Sequence, residues 1–156
     1  MKKIFFLILG SSLLTWSCGS SDDDSSVTPE ESEVQTLEGN YAGAWSSITP
    51  LNNYQGIPIS AKITATSDPN VFRGEFFFTS NLISCCNSGA NDGTLNITID
   101  GDDVTEFVYR DVIPSCNGNF NGTGTTANND TLTINFIGAD CEGDHENGSL
   151  VLNKTN

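Results

Sequence analysis

The feature that most constrains the fold is a series of short runs in which apolar and polar residues alternate. Residues 57–66, 94–100 and 131–138 place apolar side chains at every second position. This period of two is typical of a strand with one buried face and one solvated face. A sustained apolar stripe of helical period is missing, so we expect little helix. With turn residues between the runs, the sequence predicts eight strands, at 40–48, 57–66, 71–79, 94–100, 104–111, 118–125, 131–138 and 148–154.

The connections between these predicted strands alternate in length. The short ones are the second, fourth and sixth, at residues 67–70, 100–103 and 127–130. The longer ones are the first, third, fifth and seventh, at residues 49–56, 80–92, 112–117 and 139–148. Odd and even connections of an antiparallel meander lie at opposite ends, so we expect a trimmed end and an elaborated end. Eight strands of this length close into an all-β, up-and-down antiparallel barrel that leaves no free edge. A β-sandwich is the alternative fold.

Four cysteines, Cys85, Cys86, Cys116 and Cys141, all fall in odd-numbered connections, which the meander brings to the elaborated end. An even number of cysteines in an exported chain indicates disulfides. We favour a Cys116–Cys141 bridge with Cys85–Cys86 as a vicinal pair. The pattern that ties Cys85 and Cys86 separately to the other two stays open. Adjacent cysteines do not have the spacing of a zinc site, so no metal is expected at these thiols.

The N-terminus has the pattern of an export signal. Two lysines precede an apolar stretch that is too short to cross a bilayer as a helix, which takes about 20 residues. The Thr-Trp-Ser-Cys sequence that ends at Cys18 resembles the lipobox of bacterial lipoproteins, in which the cysteine is lipidated after cleavage. The resemblance implies a signal peptide over 1–17 and an acylated Cys18 that anchors the mature chain to a membrane. An ordinary cleaved signal is the alternative.

Residues 18–38 follow as a polar segment with seven acidic residues and no basic one. Such a composition cannot support a packed core, so we expect a disordered tether. The serine and aspartate run after Cys18 resembles the acidic export signal of Bacteroidota surface lipoproteins. That resemblance implies an outer-membrane lipoprotein displayed on the cell surface, and a plain spacer on a periplasm-facing protein is the alternative. The β-barrel domain is then expected over residues 39–156.

The charge of the chain excludes one class of partner. After residues 1–17, the sequence holds 20 acidic residues against four basic ones, a net charge of 4 − 20 = −16. Capture of a phosphate backbone requires clustered lysine and arginine. Nucleic acid is therefore excluded as a partner, as is electrostatic docking to anionic lipid.

The first predicted strand resembles the opening strand of lipocalin-like and avidin-like barrels. Those barrels carry Gly-x-Trp in that strand, and here Gly43 and Trp45 occur in Tyr-Ala-Gly-Ala-Trp. The resemblance covers residues 39–156 in strand number and order. In lipocalins this tryptophan closes the narrow floor of the barrel, and a basic residue of the last strand packs over it. The resemblance therefore implies a floor made by Trp45 and Lys154.

A binding site is expected at the mouth formed by the longer connections. Its candidate residues are Leu51, Tyr54, Leu82, Ile83, Asp140, Glu142, Asp144 and His145. Aromatic and acidic groups without cations suit a neutral glycan or an apolar small molecule better than an anion. We therefore expect a non-catalytic module that binds a ligand or partner. A cavity would favour this function, whereas a filled interior with disulfide-pinned loops would favour docking on another protein, as in small barrels that inhibit proteases.

Catalysis is not expected. His145 stands in an acidic connection without the sequence signature of a catalytic triad, and we expect it to be a solvated loop residue. A hydrolase that uses mouth carboxylates is an alternative. Asp140, Glu142, Asp144 and Glu146 lack the spacing of an EF-hand loop, so we expect no metal and no cofactor.

The Phe76-Phe77-Phe78 run in the third predicted strand places Phe77 on the face opposite to its two neighbours. We expect a loop or neighbouring strand to cover this ring. An exposed apolar patch for a partner is the alternative.

Overall fold

The computed structural model describes residues 36–87 and 89–155, and this part of the chain is all β. Its strands are β1 (Gly39–Ile48), β2 (Asn53–Ala65), β3 (Val71–Phe77), β4 (Gly93–Asp100), β5 (Asp103–Asp111), β6 (Asn119–Ala127), β7 (Thr131–Asp140) and β8 (Gly143–Thr155). Each strand pairs antiparallel with the next, and β8 pairs with β1 to close the barrel. The predicted up-and-down barrel is confirmed, and the β-sandwich is wrong. Among the described residues, no helix is long and apolar enough to span a bilayer.

The interior of the barrel is filled by side chains from alternate positions of the strands. In β2, Ile59, Ala61 and Ile63 are fully buried, whereas Lys62 and Thr64 are exposed, as their alternation predicts. The strands contribute one continuous apolar core. Removal of this apolar surface from water is the main force that closes the barrel.

Gly43 is required where β1 and β8 approach each other. A Cβ added at this glycine would lie 1.8 Å from the backbone oxygen of Val151, far inside van der Waals contact. Any side chain at this position would therefore push β8 away from β1. This close approach gives a local physical reason for the glycine of the Gly-x-Trp sequence.

At the trimmed end, the folded part of the chain begins earlier than predicted. Leu37, which we had assigned to the disordered tether, is fully buried in the core, and its carbonyl accepts a hydrogen bond from the Tyr41 hydroxyl (2.8 Å). The folded part of the chain therefore includes residues before 39, because an apolar side chain plugs this end. The predicted signal over 1–17 and the lipidated Cys18 lie outside the described residues.

The predicted floor of Trp45 and Lys154 is wrong. Tyr41 is the first inward residue of β1, and Trp45 follows four positions later, about 13 Å further along the strand. Trp45 thus lies toward the elaborated end, whereas Lys154 pairs in register with Tyr41 at the trimmed end. The Lys154 ammonium donates to the carbonyl of Thr36 (3.4 Å).

The elaborated end is built by fewer connections than predicted. The third and fifth connections, residues 78–92 and 112–118, are long. Half of the predicted loop over 49–56 and most of the predicted loop over 139–148 are instead strand, because β2 begins at Asn53 and the β7–β8 hairpin continues to residues 141–142. Polar side chains in these segments suggested loops, but their backbones pair at the rim of the barrel.

The third connection is held in place by Asp92, which is fully buried. Its carboxylate accepts hydrogen bonds from the backbone N–H groups of Phe78 (2.9 Å), Cys85 (3.0 Å) and Cys86 (3.1 Å), and from the Ser84 hydroxyl (2.6 Å). Burial alone would raise the pKa of Asp92, but these donors outweigh it and lower the pKa. The carboxylate thus fixes the loop from inside.

Phe77 is covered, as expected for the odd ring of the phenylalanine run. It is 4% exposed and pairs in register with Ser60 on the outer face of the barrel. The backbone N–H of Leu82 donates to the Ser60 hydroxyl (2.8 Å), which places the third connection against this face. The alternative of an exposed patch at Phe77 is wrong.

Candidate functional site

A cavity of about 310 Å³ lies at the elaborated end, above the filled interior. Its lining combines apolar, acidic and disulfide groups: Trp45, Tyr54, Ile57, Phe78, Cys85, Cys86, Asp111, Ile113, Cys116, Phe120, Asp140, Glu142 and His145. This size is at the lower end of the range of small-molecule sites, roughly 300–1,000 Å³. The barrel is thus filled below and hollow at its mouth.

Trp45 anchors the aromatic part of the pocket. Its ring centroid lies 5.1 Å from that of Phe120, 5.6 Å from that of Phe78 and 4.0 Å from that of Phe136. The contacts to Phe120 and Phe78 are edge-to-face, an arrangement that aromatic quadrupoles favour.

His145 is buried, contrary to the expectation of a solvated loop residue. It is 5% exposed, because β8 begins at Gly143 and turns this side chain inward. Its Nδ1 lies 2.9 Å from the Ser47 hydroxyl oxygen, which accepts a hydrogen bond from the Trp45 indole N–H (3.0 Å). The Ser47 hydroxyl thus links the rings of Trp45 and His145 through hydrogen bonds.

The second ring nitrogen of His145 faces a carboxylate. Nε2 lies 3.1 Å from Oδ2 of Asp140 but is not aligned for a hydrogen bond with it. A buried polar atom without an aligned partner is unusual in a folded protein. This pair therefore has hydrogen-bonding capacity left over at the pocket.

Ser47, His145 and Asp140 are the residue types of a hydrolytic triad, but their arrangement does not suit one. Ser47 is 1% exposed and is not part of the pocket lining. Its oxygen also accepts from the Trp45 indole. A nucleophile must reach the substrate, and here the serine lies behind the histidine. We therefore assign Ser47 the role of orienting the His145 ring.

Glu142 and Tyr54 form a hydrogen-bonded side of the pocket. The Tyr54 hydroxyl donates to Oε1 of Glu142 (2.7 Å), and Asn52 and Thr49 donate to the same carboxylate. The Tyr54 hydrogen bond, followed by that of Asn52, lowers the pKa of Glu142. Burial, together with this carboxylate, raises the pKa of Tyr54 to about 12. The Tyr54 ring lies parallel to that of His145, with centroids 6.2 Å apart.

Asp111 is a second buried carboxylate, at the pocket end of β5. It is 7% exposed, and its Oδ1 accepts a hydrogen bond from the backbone N–H of Ile113 (2.7 Å). Burial raises the pKa of Asp111 to about 6, and the neighbouring charges of Asp140 and Asp92 also raise it. This acid thus titrates within the physiological range.

Two disulfides lie at the mouth and follow the favoured pairing. Cys116 is bonded to Cys141, which joins the fifth connection to the β7–β8 hairpin. Cys85 is bonded to Cys86 within the third connection. Because the chain order alternates between the two ends, all four sulfurs gather at the same end, as predicted.

The predicted mouth residues divide into two groups. Tyr54, Asp140, Glu142 and His145 line the pocket. The other four do not: Leu51 and Ile83 are exposed, Leu82 lies where the third connection meets β2, and Asp144 is on the outer face. Since β8 alternates, Asp144 and Glu146 are exposed while His145 is buried, so the four carboxylates of this region do not converge.

Sequence reasoning missed several pocket residues. They are Trp45, Ile57, Phe78, Asp111, Ile113 and Phe120. All but Ile113 lie on the inward face of a strand or its extension, so the period-two pattern, continued to the elaborated end, would have found them. Attention to loop residues alone overlooked these strand ends.

Comparison with known proteins leaves the family open. No protein-family model matches the chain, and no curated protein matches it. Among solved structures, a redesigned β-barrel is similar to this chain at 13% identity, with 77% of this chain and 92% of that chain covered and a TM-score of 0.48.

Proposed function

We propose that this protein is a membrane-anchored lipoprotein whose barrel binds a small ligand, without catalysis, in the pocket at its mouth. The observation that carries this proposal is the cavity of about 310 Å³ between Trp45, Tyr54 and Phe120. Concave, mostly apolar sites with a few polar groups are typical of small-molecule binding.

The shape and chemistry of the pocket favour a compact ligand. Its walls are largely aromatic and aliphatic, and among the residues that the structure describes no lysine or arginine lines it. An anion would meet Asp111, Asp140 and Glu142 without a basic partner. An extended glycan would not fit inside, so we favour a small molecule with an apolar body.

The anchor and the location rest on the sequence alone. The lipobox-like sequence at Cys18 and the acidic run after it support an outer-membrane lipoprotein, displayed on the cell surface or facing the periplasm. The membrane is then a partner through the acyl chains of Cys18.

A pocket-filling variant tests the proposed binding. Ile57 lines the cavity, whereas Ile137 is exposed on the outer face, so Ile57→Trp and Ile137→Trp are a matched pair. Thermal unfolding is measured with a panel of lipids, small aromatic compounds, glycans and calcium. We expect a ligand that stabilises the wild-type protein and Ile137→Trp but not Ile57→Trp. Equal stabilisation of all three proteins would place binding elsewhere and contradict the proposal.

A second candidate function is docking on another protein, for example as a protease inhibitor. Leu51 and Ile83 are exposed apolar side chains on connections at the elaborated end, which also holds both disulfides. Leu51→Ser combined with Ile83→Ser would abolish such docking and leave binding of a small ligand in the pocket unchanged. Loss of binding to a protein partner in this double variant, together with a pocket that no small molecule fills, would favour docking over the pocket.

A further inference from the structure

We propose that the pocket selects an organic cation, a small apolar body that carries an ammonium group. This inference rests on the proposed function, because it names the chemical class of ligand for the same pocket. It is carried by the juxtaposition of one buried carboxylate, Asp111, two half-buried ones, Asp140 and Glu142, and aromatic rings in a cavity that no lysine or arginine of the described residues lines.

The lining of the pocket contains three acidic side chains. Asp111, Asp140 and Glu142 all line the cavity. Arg110, next to Asp111 in sequence, is exposed and donates to Asn119 on the outer face (2.9 Å) instead of facing the pocket. Carboxylates that are removed from water are ordinarily paired with cations. Within the described residues, the pocket acids have only His145 for that role.

The second step is the unused hydrogen-bonding capacity of two carboxylates. Asp111 is more than nine-tenths buried, and among the described residues its carboxylate accepts one hydrogen bond, from the Ile113 N–H to Oδ1. Asp140 accepts from the Glu142 backbone N–H at Oδ1 (2.7 Å), while Oδ2 faces His145 without an aligned hydrogen bond. An ammonium group brings three donors and no acceptor. It is thus the complement of two carboxylate oxygens that have no aligned donor within the described part of the chain.

The third step is the aromatic lining. Trp45, Tyr54, Phe78 and Phe120 surround the same cavity as these acids. Aromatic faces attract organic cations, and the attraction increases when the cation is desolvated. The apolar body of the ligand would pack on the same rings, so one pocket satisfies both parts of the ligand.

The inference has a consequence for pH. An ammonium ligand binds the ionised form of Asp111. In the free protein, burial raises the pKa of this carboxyl group to about 6. Binding should therefore be about tenfold weaker at pH 5 than at pH 7.5. The titratable groups that face Asp111 or share its pocket are Tyr109, Asp92, Asp140, Glu142 and His145. The pKa values of Asp92 and Glu142 are lowered by their hydrogen bonds, so both carboxylates stay ionised between pH 5 and pH 7.5 and do not offset this change.

Three probes of nearly equal shape test the ligand class. They are 2-phenylethylamine, 2-phenylethanol and 3-phenylpropionate, which carry an ammonium, a hydroxyl and a carboxylate on the same aromatic body. Titration calorimetry on the purified protein at pH 7.5 should give the tightest binding for the amine, about tenfold tighter than for the alcohol, and the weakest for the carboxylate. Amine affinity should fall about tenfold at pH 5, and alcohol affinity should not.

Variants assign the selectivity to the pocket carboxylates. Asp111→Asn keeps the acceptor for the Ile113 N–H, so the fold should persist while amine affinity at pH 7.5 falls about tenfold. Alcohol affinity should not change. Asp144→Asn, which removes an exposed carboxylate of the outer face, is the control and should bind like the wild type. If Asp111→Asn does not fold, amine affinity is measured instead for Glu142→Gln and, across the pH series, for the wild-type protein.

Several results would overturn the inference. One such result is that the alcohol or the carboxylate binds as tightly as the amine. Another is that the amine binds Asp111→Asn and the wild-type protein with equal affinity. Failure of all three probes to bind in the millimolar range would also overturn it. If the amine and the alcohol bind equally well and Ile57→Trp abolishes the binding of both, the selectivity for a cation is refuted but the proposed function is not. Failure of every compound of the wider panel would instead refute the proposed function.

Discussion

At the scale of single residues, two buried carboxylates behave in opposite ways. Asp92 and Asp111 are both almost fully buried, but Asp92 accepts hydrogen bonds from a surrounding loop and has a lowered pKa. Among the described residues, the Asp111 carboxylate accepts only from the Ile113 N–H, and its pKa is raised. Asp92 thus stabilises the fold above the pKa it has when unfolded, and this contribution is lost as the pH falls through its lowered, folded pKa. Asp111 is destabilising when ionised, which is typical of a functional group.

The first prediction concerns how much the ionised Asp111 carboxylate lowers the free energy of unfolding. An unfolded aspartate has a pKa near 4, so the folded protein binds more protons than the unfolded chain between about pH 4 and 6. Stability therefore falls as the pH rises through this window, and the full penalty is present above it. Asp111→Asn should raise the free energy of unfolding by about 2 kcal/mol at pH 7.5 and by much less at pH 4. Chemical denaturation at both pH values measures this, and a variant that is less stable at pH 7.5 would contradict the account.

At the scale of structural elements, the alternating runs and the turn residues between them predicted every strand of the barrel but not all of the strand ends. The alternation of β2, β4 and β7 reflects burial on one face, which is a direct consequence of strand geometry. Strand ends at the rim carry polar side chains, so residues 53–56 and 143–147 resembled loops although their backbones pair. The pocket was predicted in part for the same reason, because its inward residues lie at these ends. The ring of His145 and its Ser47 partner, which are distant in sequence, could not be paired without the fold.

The second prediction contrasts the two disulfides. The Cys116–Cys141 bridge spans 25 residues, so it restricts the unfolded chain far more than the vicinal Cys85–Cys86 bridge does. Replacing Cys116 and Cys141 with serine should lower the free energy of unfolding by about 3 kcal/mol. The same replacement of Cys85 and Cys86 should change it by less than about 1 kcal/mol, since almost no loop is closed. Equal losses in the two double variants, in denaturation under oxidising conditions, would refute this entropic account.

At the scale of the whole molecule, the barrel has one plugged end and one open end. Leu37 and Tyr41 close the trimmed end, from which the chain leads back toward the proposed anchor. The pocket lies at the opposite end, beside both disulfides. The N-terminal chain thus enters the barrel at the end that does not carry the pocket.

The third prediction concerns the anchor. Cys18→Ala removes the sulfur that would carry a lipid, so the variant should move from the membrane fraction to the soluble fraction of cells. Cys116→Ser combined with Cys141→Ser is the control for loss of cysteines as such, and its folded fraction should remain with the membrane. Unchanged membrane retention of Cys18→Ala would contradict the proposed lipoprotein.

The most direct test of the central claim uses Trp45, which is the sole tryptophan of residues 18–156 and lines the pocket. The quantity measured is the NMR chemical shift of the Trp45 indole N–H, followed as 2-phenylethylamine is added to protein that lacks residues 1–17. We predict that this signal and the ring signals of His145 shift with a common saturation curve, while those of Tyr41 at the plugged end stay in place. Saturable shifts confined to Tyr41 or to the outer face at Ile137, with an unmoved Trp45 signal, would contradict a binding pocket at the mouth.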